Sequence, residues 1–289
     1  MRIRKCFSIT AAIFSTAAVL LWASSVACAQ VWLDAAVSNR PALGPSRALG
    51  VVVWSHGRSV DSEDSLAPTP PYVTALRDGG WDTFRFNRMR AGDTLENSAR
   101  RLIEEVHRLK QKGYRKVALA GQSFGGFVVL RAATASDDVD ALIVTAPAAY
   151  GSAAEVGSSW RDNATKLYPL LEQVRRARVM AFYFDGDDYD PGGRGERTRA
   201  ILAGRRLPHL VVDKPAGLRT HWAAATPTFA KLYAGCILGF IATAEMNEQA
   251  QCAEGAFVGG ADRVPPGPSA AQRAALALRS AGQNAPTSR

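Results

Sequence analysis

The sequence predicts an α/β protein with a mostly parallel central sheet of six to eight strands and helices on both faces. Short runs of β-branched and aromatic residues alternate with segments of helical periodicity, which is typical of β-α-β units. Right-handed connections between parallel strands place helices on both sides of such a sheet. The chain has 289 residues, of which 47% are apolar and 21% charged. It can therefore bury a large core, and its composition excludes wholesale disorder, collagen and coiled coil.

Six segments have the composition of buried strands. They cover residues 49–54, 81–86, 116–120, 139–145, 179–184 and 207–212. Residues 30–47 are expected to add a short antiparallel strand at the edge of the sheet. The alternation of apolar runs and turn residues thus accounts for six or seven strands.

Three segments between or after these strands predict helices. They cover residues 95–112, about 126–134 and 226–244. In the first, Leu102, Val106 and Leu109 follow the i, i+4, i+7 spacing of one apolar helix face. Residues 146–178 are too many for a simple crossover, so we expect them to extend over the carboxyl edge of the sheet.

The N-terminus resembles an export signal. A basic start is followed by an apolar stretch at 9–22 and by Ala27-Cys28-Ala29, a pattern typical of a secretory signal peptide. We therefore expect residues 1–29 to be removed and the protein to be periplasmic or secreted. A lipid anchor on Cys28 is the alternative, although the residues before it lack the usual leucine. Residues 30–258 are predicted to form one domain and 259–289 a flexible tail.

Two cysteines, Cys236 and Cys252, follow the predicted signal. An even pair in an exported chain predicts a disulfide, and no histidine stands near enough for a zinc site. The formal net charge is +9, but the arginines are spread along the chain. That distribution gives no sign of nucleic-acid binding. No later apolar run is long enough to span a bilayer, and the oligomeric state stays open.

A nucleophile motif follows the strand at 116–120. Gly121-Gln122-Ser123-Phe124-Gly125 fits the pattern G-x-S-x-G at the end of an apolar strand and the start of a helix. In that context the motif predicts a sharp turn that raises the Ser123 hydroxyl above the sheet edge, with glycines where side chains would collide. A plain glycine-rich turn is the alternative interpretation.

The loop after the first strong strand reads Ser55-His56-Gly57-Arg58. A His-Gly pair at this place resembles the loop that supplies one backbone N–H to an oxyanion hole. The donors are then Arg58 and Phe124, the residue after the nucleophile. His56 itself is interpreted as a residue that braces the loop and not as a base.

Together these segments resemble the α/β-hydrolase fold, and specifically a small, secreted, esterase-like serine hydrolase with a small cap or none. The resemblance covers about residues 49–241 and implies the chain order Ser, acid, His. The acid is expected after the strand at 179–184, and the register of an Asp four residues before Pro191 favours Asp187. Asp190 and Asp188 remain open as alternatives.

The same turn permits a second interpretation as a calcium loop. Asp185, Asp187 and Glu196 fall at positions 1, 3 and 12 of an EF-hand pattern. Tyr189 at position 5 and Asp190 in place of the required glycine argue against it. We therefore expect no metal here.

The base is expected to be one of four histidines. His221 follows the last strand, where the family places its catalytic histidine, although Thr220 stands where many relatives have glycine. His107 is expected on a helix surface and His209 inside a strand as a packing residue.

The predicted function is hydrolysis of a small-molecule carboxylic ester by Ser123, His221 and Asp187 through an acyl-enzyme, with no metal or organic cofactor. An acyltransferase or peptidase with the same triad is one alternative. A non-catalytic binding protein of this fold is another. We also expect a modest apolar crevice, with at least one aromatic residue of the segment 146–178 near Ser123. The candidates are Tyr150, Trp160 and Tyr168.

Overall fold

A computed structural model describes residues 32–58, 67–88 and 91–242 of the chain. The strands within these ranges are β1 (Leu33–Ala35), β2 (Val51–Ser55), β3 (Asp82–Phe86), β4 (Val117–Gln122), β5 (Ala141–Thr145), β6 (Arg178–Tyr183) and β7 (His209–Asp213). The helices are α1 (Pro71–Asp78), α2 (Leu95–Gln111), α3 (Phe124–Ala135), α4 (Ala153–Val156), α5 (Trp160–Thr165), α6 (Leu167–Gln173), α7 (Arg194–Gly204) and α8 (Pro227–Ala242). Short 3-10 turns occupy Gly157–Ser159 and Ala223–Ala225.

The seven strands form one sheet in the order β1-β3-β2-β4-β5-β6-β7. All neighbours pair in parallel except β1, which runs antiparallel to β3. The predicted parallel α/β sheet and its antiparallel edge strand are thus confirmed. Because Ser55 pairs with Gly121 and Gln122 with Thr145, the loops after these strands meet at one carboxyl edge.

Each face of the sheet buries a separate apolar core, because successive side chains of a strand point to opposite sides. Val51 and Val53 of β2 face a core formed with α2, α3, α6 and α7. Val52 and Trp54 face the other core, formed with α1 and α8. Helices therefore cover both faces, as predicted, and the loops that carry the candidate site residues follow the carboxyl ends of the strands.

Helix α2 shows how local sequence sets an element. Thr94 caps its N-terminus, and its side-chain oxygen accepts a hydrogen bond from the backbone N–H of Asn97. Its predicted stripe of Leu102, Val106 and Leu109 is buried against the sheet. The cap and the stripe fix where α2 begins and which face packs.

The long segment after β5 folds into α4, α5 and α6 with a 3-10 turn between the first two. Helix α6 packs against α3 and α7 and buries Leu167 and Leu171 in the core. The sequence did not predict α1 or α7. These two helices complete the cover of β3 and β7.

All described residues belong to one compact unit. The predicted signal peptide at 1–29, with Cys28, and the tail at 259–289 lie outside the described residues and stay predictions. Cys236 is buried on α8 and disulfide-bonded; Cys252 also lies outside, so that pairing stays a prediction. No helix in the described ranges is both long and apolar enough to cross a membrane.

Candidate active site

Ser123 occupies the tight turn between β4 and α3. Its backbone has φ 55° and ψ −123°, a conformation that costs free energy for a residue with a side chain. The turn brings the chain so close to its neighbours that a β-carbon on Gly125 would lie 2.1 Å from the carbonyl oxygen of Ser55. On Gly121 it would lie 2.3 Å from the carbonyl oxygen of Gly125. The two motif glycines are therefore required by space, as the sequence predicts.

The loop after β2 runs directly past this turn. A β-carbon placed on Gly57 would lie 3.4 Å from Cβ of Ser123. The guanidinium of Arg58 lies 4.0 Å from the centre of the Phe124 ring. Phe124 is the first residue of α3, where a backbone N–H has no partner within the helix. The structure thus places Arg58 and Phe124, the two residues predicted to supply oxyanion donors, in side-chain contact with each other and next in the chain to Gly57 and Ser123.

His221 and Asp187 meet in the loops after β7 and β6. Nδ1 of His221 lies 2.9 Å from Oδ1 of Asp187, and both side chains are buried. The backbone N–H of Tyr189 donates to the same carboxylate oxygen at 2.9 Å. The Gln122 amide donates to the carbonyl oxygen of His221 at 3.3 Å, which ties the histidine loop to the residue before Ser123.

The alternative acids point elsewhere. Oδ1 of Asp190 accepts the backbone N–H of Gly192 at 2.8 Å and lies 4.0 Å from Nε of Arg194. Burial raises the pKa of this carboxyl, and the nearby charge of Asp187 adds to the rise. Asp188 is exposed. Of the three candidate acids, Asp187 is the one that the structure places in contact with His221.

Solved structures similar to this chain include two hydrolases. A monoacylglycerol lipase from Paleococcus ferrophilus matches with a TM-score of 0.50 and 14% identity, over 67% of this chain and 94% of the lipase. An acylaminoacyl peptidase from Pyrococcus horikoshii matches with a TM-score of 0.52 and 14% identity, over 74% of this chain and 40% of the peptidase. The chain has the α/β-hydrolase fold. No family model matches its sequence, and no curated protein does.

In this α/β-hydrolase fold the acid and histidine loops run side by side. Asp185 and Arg219 form a parallel bridge between them, and the backbone N–H of Thr220 donates to the carbonyl oxygen of Asp185 at 2.8 Å. To make this hydrogen bond, the backbone of Thr220 adopts a positive φ of 73°. The departure from glycine noted in the sequence therefore falls at a residue in the left-handed region.

Tyr189, two residues after Asp187, packs its ring against the imidazole of His221. Its ring centre lies 4.4 Å from that of His221. Burial raises the pKa of the Tyr189 phenol, and the charges of Glu155, Asp187 and Asp188 raise it further, so the ring faces the imidazole as a neutral group. From the sequence, Tyr189 was considered only as a residue that does not fit the calcium loop, because an aromatic residue within an Asp-rich turn gives no distinctive sign of a contact with the histidine.

An apolar pocket of about 170 Å³ lies beside the candidate site. Three of its lining residues are chain neighbours of candidate site residues: Gln122 precedes Ser123, Trp222 follows His221, and Gly57 precedes Arg58. Its remaining lining is Trp54, His56, Ala67, Pro68, Pro70, Tyr72, Thr145, Ala224 and Ala225. The crevice is thus apolar, as expected, but its aromatic walls are not those proposed from the sequence.

The three aromatic residues of the segment after β5 lie in other places. Tyr150 packs edge-on against Phe127 and lines a much smaller cavity that also contacts Tyr189. Tyr168 is buried in the core with α6. Neither of these two, nor Trp160, lines the 170 Å³ pocket.

The calcium-loop alternative does not form. Asp185 pairs with Arg219 at 2.9 Å, Asp187 contacts His221, and Glu196 lies on α7. Within the described ranges, no group of three or more His, Cys, Asp or Glu side chains is arranged to hold a metal ion.

The remaining histidines have local partners. Nδ1 of His209 lies 2.7 Å from the carbonyl oxygen of Leu207, and His107 is exposed beside Asp138. Nδ1 of His56 lies 2.7 Å from the carbonyl oxygen of Gly57, so His56 sits within the loop that it was expected to brace.

Proposed function

We propose that this protein is a serine hydrolase that cleaves a carboxylic ester through an acyl-enzyme, with Ser123 as nucleophile, His221 as base and Asp187 as acid. The observation that supports it most is the 2.9 Å contact between His221 and Asp187 at the sheet edge that also carries Ser123. The strained backbone of Ser123 agrees with the same assignment.

The first half-reaction follows from the acidity of the groups. A serine hydroxyl holds its proton too tightly to attack at neutral pH, so Nε2 of His221 takes that proton as Oγ of Ser123 bonds to the ester carbon. Asp187 holds the Nδ1–H and stabilises the imidazolium. The bond to the alcohol oxygen then breaks, and the imidazolium returns the proton to the leaving alcohol.

Water completes the reaction by the same path in reverse. The water molecule gives a proton to Nε2 of His221 as its oxygen bonds to the acyl carbon. The bond between the acyl carbon and Oγ of Ser123 then breaks, and His221 returns the proton to Oγ. In both halves, negative charge collects on the former carbonyl oxygen. The backbone N–H groups of Arg58 and Phe124 are its donors, and one such donor contributes about 2.7–4 kcal/mol in other serine hydrolases.

The pocket supports a compact apolar substrate group. Its volume of about 170 Å³ compares with roughly 150 Å³ for an apolar cavity known to accept benzene. We therefore propose esters that carry one ring or a short branched chain, on the acyl or the alcohol side, next to the carbonyl.

A fluorophosphonate probe tests the proposal. The wild-type protein is expected to be labelled, Ser123→Ala to lose labelling, and Ser159→Ala, which changes an exposed serine, to keep it. A folded wild type that stays unlabelled and hydrolyses no ester from a C2 to C16 p-nitrophenyl series favours the non-catalytic alternative. Running an amide and an acyl-acceptor alcohol beside the esters separates peptidase and transferase activity.

Export is a further part of this proposal, and it depends on the sequence at 1–29. N-terminal sequencing of the protein recovered from the periplasm or medium tests it. The expected first residue is Gln30, whereas a lipid-modified N-terminus at Cys28 supports the anchored alternative.

A further inference from the structure

A buried ion pair lies behind the loop that carries the oxyanion donor. Arg88, just after β3, is 1% exposed, and its Nη1 lies 2.6 Å from Oδ2 of Asp93. The other oxygen of Asp93 accepts a hydrogen bond from the Ser98 hydroxyl in the first turn of α2. Taking two charges out of water costs free energy, and a buried ion pair adds little net stability.

The guanidinium holds the backbone of the loop after β2. Nη2 of Arg88 donates to the carbonyl oxygen of Gly57 at 3.0 Å and also to that of His56. Nδ1 of His56 is 2.7 Å from the same Gly57 oxygen, and its Nε2 accepts the backbone N–H of Arg88 at 3.4 Å. A proton on Nδ1 of His56 satisfies both of these contacts. The Gly57 carbonyl therefore receives two hydrogen bonds from buried side chains.

Fixing this carbonyl also fixes the N–H of Arg58. The two groups belong to one planar trans peptide and point in opposite directions. The side chain of Arg58 is held as well, because its Nη1 donates to the backbone carbonyl of Asp93 at 2.6 Å. The Gly57–Arg58 peptide is thus held through the Gly57 carbonyl by Arg88 and through the Arg58 side chain by Asp93, shortly before α2.

We propose that Arg88 is a positioning residue for oxyanion stabilisation and that Asp93 anchors it. Arg88 acts through the Gly57–Arg58 peptide, because it holds the Gly57 carbonyl and so fixes the orientation of the Arg58 N–H. This inference depends on the proposed hydrolase function. Because charge develops on the oxygen only in the transition state, loss of the alignment lowers kcat and leaves KM nearly unchanged.

The test uses Arg88→Met and the double variant Arg88→Met/Asp93→Asn. The double variant removes both charges, so it leaves no unpaired carboxylate in the interior. Arg178→Met is the matched control. Arg178 is also buried, and it donates to the backbone carbonyl of Phe240 at 2.8 Å. It lies at the start of β6, at the amino ends of the strands, whereas the candidate site lies at their carboxyl ends.

Each protein is assayed below its own thermal midpoint on the best ester found for the wild type. We expect both Arg88 variants to lower kcat about 10²-fold, as the loss of one oxyanion donor does, with KM within about threefold. The affinity for a trifluoromethyl ketone, whose serine adduct carries the oxyanion, is expected to fall by the same factor. Arg178→Met is expected to retain the wild-type values of kcat and inhibitor affinity.

Three outcomes overturn the inference while leaving the proposed function intact. The first is a folded double variant with wild-type kcat. The second is a loss confined to KM, and the third is an equal loss of kcat in Arg178→Met. A wild type that neither hydrolyses esters nor labels at Ser123 contradicts the proposed function itself, and so the two failures are distinguishable.

Discussion

Nδ1 of His221 and Oδ1 of Asp187 lie 2.9 Å apart although 34 positions separate the two residues in the chain. Two parallel strands explain this meeting. Tyr183 at the end of β6 pairs with Asp213 at the end of β7, so the loops that follow leave the sheet side by side. The contact leaves Nε2 of His221 as the nitrogen available to accept a proton.

We predict that Asp187→Asn lowers kcat by about 10⁴-fold, because an amide in place of the carboxylate favours the wrong imidazole tautomer and does not stabilise the imidazolium. Steady-state kinetics on a p-nitrophenyl ester provide the measurement. Asp188→Asn and Asp190→Asn are the matched controls in the same turn, and both are expected to keep kcat within about threefold. A larger loss in Asp190→Asn than in Asp187→Asn would show that the acid is misassigned.

Asp190 gives a prediction about pH and stability. Its side chain is 5% exposed, and burial raises its pKa above the ordinary value. The native carboxyl therefore binds its proton more tightly than the unfolded chain does. Its contribution to the free energy of unfolding is greatest below the unfolded pKa and falls as the pH rises through the raised native pKa.

Asp190→Asn lacks this titration. The difference in Tm between Asp190→Asn and the wild type is expected to shift in favour of the variant as the pH rises from about 4 to about 7. Scanning calorimetry across that range measures it, with Asp188→Asn controlling for the loss of an exposed negative charge in the same turn. A difference that is constant with pH, or that shifts toward the wild type, contradicts the assignment.

The pocket predicts a size limit for the substrate. Ala225 lies on its exposed rim, and Ala225→Phe narrows the opening without disturbing the core. We predict that kcat/KM for an ester bearing a phenyl group falls about tenfold or more, whereas that for the acetate of the same alcohol stays within about twofold. Comparing an acyl series with an alcohol series shows which side of the ester occupies the pocket.

The control is Ala203→Phe, which places the same side chain on the exposed surface of α7. It is expected to leave both esters unaffected. If Ala225→Phe slows the acetate as much as the phenyl ester, the 170 Å³ pocket does not hold the group that we propose.

The sheet and the elbow were predictable from the sequence because their signals are local. Strands β2, β5 and β6 are mostly apolar runs. The two glycines around Ser123 are required by backbone contacts within a few residues of the turn or with β2. Helix α7 was missed for a related reason. Its buried residues are Arg194, Gly195, Thr198 and Leu202. Only Leu202 among them is a large apolar residue, so the inner face gives too weak an apolar stripe for the helix to be recognised in the sequence.

The residues that line the pocket and the Arg88–Asp93 pair were not predictable, because tertiary contacts create them. Trp54, Tyr72 and Trp222 come from β2, α1 and the loop after β7, and nothing in the sequence brings them together. Charged residues are mostly exposed, so an arginine after a strand indicates a surface position. Only the packed structure shows that Arg88 points inward, toward the carbonyl groups of His56 and Gly57.

Thr220 gives the last prediction. It has a φ of 73°, a conformation that is unfavourable for a β-branched residue, and its backbone N–H donates to Asp185. Thr220→Gly removes a left-handed penalty of about 1–2 kcal/mol and adds unfolded-state freedom worth about 0.5–1 kcal/mol. We expect the free energy of unfolding to rise by about 1 kcal/mol and Tm by about 2–4 °C, with kcat retained because the backbone bond to Asp185 remains. Thr228→Gly in the first turn of α8 is the control, and it is expected to lower the free energy of unfolding by about 0.3–0.5 kcal/mol. Equal losses in the two variants would mean that the backbone next to His221 is not under strain.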